Sequence, residues 1–194
     1  MKNVIITIGR EYGSGGHYIG KMLAEQLNIP CYDKELLVEV AKGGEYSQEM
    51  VEKNDEKPNG FMYSLFGGTS SYGLPLNQRV FLAQFEKVRE LAEKGPCVFV
   101  GRCADYVLSD RENVLNVFIY TDMETKRQRV IEYYGVPEKK ALETIKKTNK
   151  KRAEYYNFYT DKKWGNASNY HLSIDSKIGV EKVVELIKKY IELM

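Results

Sequence analysis

The sequence predicts an α/β fold: a doubly wound, five-stranded parallel sheet flanked by helices. Short β-branched apolar runs recur along the chain, each too brief for a helix. Stretches with apolar residues at helical spacing alternate with them. Strands that alternate with helices pair in parallel through right-handed crossovers, and ligands then bind at the carboxyl ends of the strands.

The first predicted strand is Val4-Ile5-Ile6-Thr7-Ile8, and Ile19, Met22, Leu23 and Leu27 mark the helix that follows. Between them lies Gly9-Arg10-Glu11-Tyr12-Gly13-Ser14-Gly15-Gly16-His17. Glycines at a strand-to-helix turn let successive N–H groups approach an anion, and the positive end of the helix dipole adds to the attraction. Gly9, Gly13, Ser14, Gly15, Gly16 and His17 are therefore the candidate phosphate cradle. In a loop of the form G-x-x-x-x-G-K-[ST], the lysine meets the β- and γ-phosphates and the hydroxyl meets Mg²⁺. Here Gly16 stands at the lysine position and His17 at the hydroxyl position. A second register, Gly15 to Gly20 followed by Lys21, supplies a lysine but meets Met22 next and falls inside the helix. A dinucleotide loop is a third reading, since Asp33 stands about 20 residues beyond Gly13. That pattern's third glycine would fall at Tyr18.

Ile29-Pro30-Cys31-Tyr32-Asp33 is the second predicted strand, with Asp33 either capping the helix Lys34–Lys42 or facing a ligand. Ser47, Met50 and Val51 suggest another short helix. From 56 to 75, glycines and turn residues punctuate isolated aromatics, which predicts a long loop: a mobile substrate lid or a subunit contact. Leu76 to Gly95 is a periodic helix, stopped by Gly95-Pro96. Cys97-Val98-Phe99-Val100 is the third strand and leads into Gly101-Arg102, an arginine placed to fork onto a phosphate. Val114–Tyr120 is the fourth strand, after which Thr121 or Asp122 caps a helix carrying Lys126, Arg127 and Arg129. A long charged helix runs from Pro137 to about Tyr159. Tyr170–Ile174 alternates as a fifth strand, and Ile178–Leu193 is a final amphipathic helix. Gly9–Gly16, Asp33, Gly101-Arg102 and Asp122 thus converge on one sheet edge.

The length of 194 residues fits a single domain spanning 1–194, with a core of ordinary size. A formal net charge of +2 argues against a nucleic-acid partner, although Lys139 to Arg152 is strongly basic and could meet phosphates. Cys31, Cys97 and Cys103 lack metal-ligand spacing and read as reduced thiols. Without a signal pattern or a membrane-spanning apolar stretch, the expected location is cytoplasmic, with no membrane partner. A homo-oligomer built on the aromatic loop is compatible with all of this.

Four segments carry a resemblance to the cytidylate kinase-like family, a branch of the P-loop nucleoside monophosphate kinases: Gly9–Gly16, Ile29–Leu37, Val100-Gly101-Arg102-Cys103-Ala104-Asp105 and Tyr170–Ser176. The resemblance spans nearly the whole chain. It implies ATP and Mg²⁺ as cofactors, a nucleotide or phosphorylated small molecule as acceptor, and sheet order 2-3-1-4-5. It implies that Arg102 binds the acceptor phosphate, that the acceptor base lies near Asp33, and that the region of about 123–168 is lid-like. Lys126, Arg129 and Arg152 are then lid cations meeting the transferred phosphoryl group. The missing lysine must be replaced, with Arg10 the first candidate, the lid cations second and His17 third. If nothing replaces it, the same fold serves as a catalytically weak or inactive nucleotide- or phosphate-sensing module.

Overall fold

The computed structural model describes residues 3–33, 36, 40, 49 and 76–194. The predicted helices opening at Lys34 and Ser47 and the loop of 56–75 lie outside the described residues, apart from Leu36, Val40 and Glu49.

Strands β1 (Ile5–Arg10), β2 (Cys31–Tyr32), β3 (Val98–Val100), β4 (Val114–Tyr120) and β5 (Leu172–Asp175) form one sheet in the order β2-β3-β1-β4-β5. Every pairing is parallel, with Ile6 beside Val98 and Leu115 in the centre. Ile5, Ile6 and Ile8 are fully buried, as a strand covered on both faces requires.

Helices α1 (Gly16–Leu27) and α6 (Val180–Leu193) cover one face, where Ile19, Leu23, Val183, Val184 and Ile187 pack against Ile6, Ile8 and Val117. Helices α2 (Leu76–Glu93) and α3 (Ala104–Val107) cover the other through Val88, Leu91, Ala104 and Val107. Helix α4 (Met123–Tyr134) begins at an Asp122 cap, whose carboxylate accepts from the Thr125 N–H at 2.9 Å, and stops at Gly135 with φ +63°.

Helix α5 (Glu138–Thr160) packs on α4 through Ala141 and Ile145, beside Val130 and Tyr12. Its other end is held to α2 by a second cluster, in which the Phe81 and Tyr159 rings stack with centroids 3.8 Å apart. Both ends of α5 are therefore seated on the body of the fold. Among the described residues, no helix is long and apolar enough to cross a membrane.

The predicted bounds differ from the observed ones where local signals are weak. The second strand is only Cys31–Tyr32, and the fifth starts at Leu172, after a loop in which the Asn116 N–H donates to His171 Nδ1 at 2.9 Å. The short helix α3 was not predicted; four residues carry too little periodicity to reveal it.

Candidate active site

The glycine loop connects β1 to α1 at the carboxyl edge of the sheet. Gly13 and Gly15 have φ of +81° and +85°, a region glycine enters without a Cβ penalty. The Ser14 N–H and Oγ–H both donate to the Glu11 carbonyl, at 3.3 and 2.8 Å, which closes the turn on itself. Helix α1 starts from Gly15 with no side-chain cap and no acidic residue in its first turn. Its first amides and the positive end of its dipole are thereby left to a ligand.

Gly9 has a different reason to be glycine. A Cβ there would come within 2.8 Å of the Phe118 ring and 3.2 Å of the Tyr170 ring, so its smallness is explained by packing on β4 and the β5 approach.

Helix α4 backs the loop directly: a Cβ on Gly13 would lie 2.9 Å from both the Lys126 carbonyl and Val130 Cγ1. Lys126 is buried and donates to Glu11 Oε2 at 2.7 Å. Arg129 donates to the Ser14 carbonyl at 3.0 Å and to the Oγ and carbonyl of Ser176 at 2.8 and 2.9 Å. The buried Ser176 hydroxyl in turn donates to the Ser14 carbonyl at 2.5 Å. Within a trans peptide C=O and N–H point opposite ways, so drawing the Ser14 carbonyl outward turns the Gly15 N–H towards the cradle.

From α5, Asn149 accepts the Tyr12 N–H at 2.7 Å, and Arg152 donates to the Arg10 carbonyl at 3.2 Å. The three expected lid cations thus do not stand off on a raised lid. They are already packed against the loop, on Glu11 and on backbone carbonyls. Ser176 and Asn149 were missed by sequence reasoning, because such contacts join residues more than a hundred positions apart.

Arg10, the last residue of β1, lies across the edge. Its stem covers Gly16, where a Cβ would fall 2.5 Å from Arg10 Cβ, and its guanidinium lies against Gly101 at the end of β3. Nη2 is 3.8 Å from Asp33 Oδ1 at the end of β2. A side chain at position 16 and Arg10 therefore compete for the same space.

Asp33 Oδ2 accepts from His17 Nδ1 at 2.6 Å. Burial pushes the Asp33 carboxyl up, but the His17 hydrogen bond and the Arg10 and Arg102 charges outweigh it and hold its pKa at about 2. Because this value is below the ordinary 3.8, the ionised carboxylate stabilises the fold above that pH, and the contribution is lost as pH falls to about 2. Asp33→Asn should therefore cost about 2 kcal/mol at neutral pH and flatten the acid limb of the stability curve. Urea unfolding followed from about pH 5 to about pH 2 checks this; an unchanged acid limb would contradict it.

Arg102 is buried beside this group, and Gly101, Arg102 and Cys103 all have positive φ, at +79°, +60° and +54°. Two non-glycine residues in that region cost about 1–2 kcal/mol each, strain of a kind that clusters at functional sites. Behind them the Tyr156 hydroxyl donates to Asp105 Oδ2 at 2.6 Å, and burial pushes the Asp105 carboxyl up despite that bond.

A cavity of about 390 Å³ adjoins the loop, lined by Gly13, Gly15, Tyr18, Arg129, Tyr133, Tyr134 and Glu181 among others. The Tyr18 and Tyr133 rings meet edge to face at 6.0 Å. Its size and aromatic walls suit a planar heterocycle whose anionic part reaches the glycine loop. No spacing in the sequence announced it.

The described residues do not fit Mg²⁺ in its usual place. Such sites hold the metal through a loop hydroxyl and one or two carboxylates, together with substrate phosphates. Position 17 offers an imidazole, and Asp33 is bound to that imidazole with Arg10 alongside. Glu11 is held by Lys126, and Asp122 by Thr125 and Lys177. Among the described residues, no three His, Cys, Asp or Glu side chains converge to hold a metal.

Among solved structures, the chain is similar to an uncharacterized protein from Eubacterium ventriosum, at 40% identity over 97% of this chain and 98% of that one, with a TM-score of 0.76. It shares its fold with shikimate kinase from Bacteroides thetaiotaomicron, at 15% identity over 97% and 98% of the two chains and a TM-score of 0.57. A gluconokinase from Sinorhizobium meliloti matches at 15% identity over 94% and 88%, with a TM-score of 0.51. The chain matches no curated protein sequence. With the P-loop kinase sheet order, the glycine loop at the carboxyl edge and residues 5–178 matching the family pattern, the chain belongs to the Cytidylate kinase-like family.

Proposed function

We propose that this protein is a nucleotide-binding phosphotransferase that moves the γ-phosphoryl group of ATP to a nucleoside monophosphate or a similar phosphorylated acceptor. The observation that carries the reading is the course of Arg10, which joins the uncapped start of α1 to the Asp33 and Arg102 edge. Phosphoryl transfer asks little of a protein beyond positioning and placed positive charge. In this reading the amides of Gly13, Gly15 and Gly16 cradle the donor phosphates, and Arg10 replaces the loop lysine between donor and acceptor. Arg102 forks onto the acceptor phosphate. The tyrosine-lined cavity takes the nucleotide base. Lys126, Arg129 and Arg152 act through the loop, by fixing Glu11 and the carbonyls of Ser14 and Arg10.

A screen tests this: nucleoside monophosphates, with shikimate and gluconate as competing acceptors, incubated with ATP while ADP formation and thermal stability are followed. The expected result is ATP-dependent transfer to a nucleoside monophosphate, with each ligand raising the melting temperature by mass action. Gly16 and His17, in place of a lysine and a hydroxyl, favour a second reading, a nucleotide-sensing module of the same fold. Binding of ATP without transfer to any acceptor would establish that second reading.

A further inference from the structure

We propose that this site binds the phosphates of its nucleotide without a divalent cation, because Arg10, His17 and Asp33 together occupy the place and the ligands a metal would use. The inference rests on the nucleotide reading given above. It starts from an exchange of residues. Where a lysine would project from the first turn of α1, Gly16 leaves a gap that the Arg10 stem fills, with Cβ-to-Cβ space of only 2.5 Å. Where a metal-binding hydroxyl would stand, His17 Nδ1 is bound to Asp33 Oδ2 at 2.6 Å. The edge acid is thus committed to an imidazole on one oxygen, with the Arg10 guanidinium 3.8 Å from the other.

The charges support the same conclusion. Arg10 and the buried Arg102 both place positive charge close enough to act on Asp33. A divalent cation entering here would meet Arg10 at close range and would have to displace His17 from its carboxylate. An arginine in that position is an already placed cation that needs no dehydration, whereas Mg²⁺ gives up its water reluctantly. Uncomplexed ATP, which carries more negative charge than its Mg²⁺ complex, is then the better ligand.

Calorimetric titration of ATP into the wild-type protein, once in excess EDTA and once in excess MgCl₂, tests this without relying on activity. The expected result is binding in EDTA that is as tight as, or tighter than, binding in MgCl₂. A gain of more than about fivefold on adding Mg²⁺ overturns the inference while leaving the nucleotide reading intact. Binding under neither condition overturns both. The same pair of titrations on His17→Thr, which restores the hydroxyl and removes the imidazole bound to Asp33 Oδ2, should now show tighter binding with Mg²⁺. A His17→Thr protein as indifferent to the metal as the wild type overturns the assignment of metal exclusion to the His17–Asp33 pair.

Discussion

Gly15→Val should abolish nucleotide binding while leaving the fold intact. Position 15 has φ +85°, and a β-branched residue there is strained whatever room surrounds it. Room itself is not the obstacle, since an added Cβ would make only ordinary contacts with Arg129 and Val180, at 3.5 and 3.7 Å. The loop relieves the strain by rotating the peptides on either side, which turns away the amides that are proposed to cradle the donor phosphates. Two charge-assisted hydrogen bonds lost at about 1.5–3 kcal/mol each amount to a hundredfold loss of affinity or more. The strain of about 1–3 kcal/mol is small beside the stability of an ordinary domain, so circular dichroism should remain that of the folded protein. A folded Gly15→Val protein with wild-type ATP affinity would remove this loop from the site.

The second large effect is expected at Arg102. Arg102→Lys keeps the charge and the positive-φ backbone demand but loses the planar fork that binds two phosphate oxygens at once. The KM for the acceptor should rise by about tenfold to a hundredfold, with the KM for ATP nearly unchanged. The position of Arg102 at the end of β3, beside Asp33 and away from the tyrosine-lined cavity, is the reason for that split. Equal weakening for both ligands would place Arg102 elsewhere in the mechanism.

The fold was legible because its signals are local. β4 was bounded to the residue, and α5 almost so, since a near-continuous apolar run and a helical periodicity hold for many residues there. The Asp122 cap was one of two adjacent candidates, and the cap geometry selects it. The glycine loop was readable for the same reason: Gly13 and Gly15, between a β-branched strand and an amphipathic helix, take the positive φ that glycine permits.

What could not be read depends on which distant element packs against the loop. Gly9 is small because of Phe118 and Tyr170, which no local pattern reveals. The resemblance made Arg129 a candidate lid cation; its partners in the structure are the Ser14 carbonyl and Ser176, fixed by the docking of α4 and of the turn after β5. The tyrosine cavity assembles from α1, α4 and α6, each contributing residues unremarkable alone.

The central claim is that the cation of the glycine loop has moved from position 16 to position 10. ATP affinity measured for the wild type, Arg10→Gly, Gly16→Lys and the double variant tests it as a thermodynamic cycle. Arg10→Gly should lose about tenfold to a hundredfold in affinity, the value of one charge-assisted bond. Gly16→Lys alone should also bind poorly, because its Cβ would lie 2.5 Å from that of Arg10. The double variant, with the Arg10 Cβ removed and a lysine in its place, should regain most of the lost affinity. If Arg10→Gly binds ATP as the wild type does, or if the lysine improves binding while Arg10 remains and fails to rescue when it is gone, the exchange is contradicted.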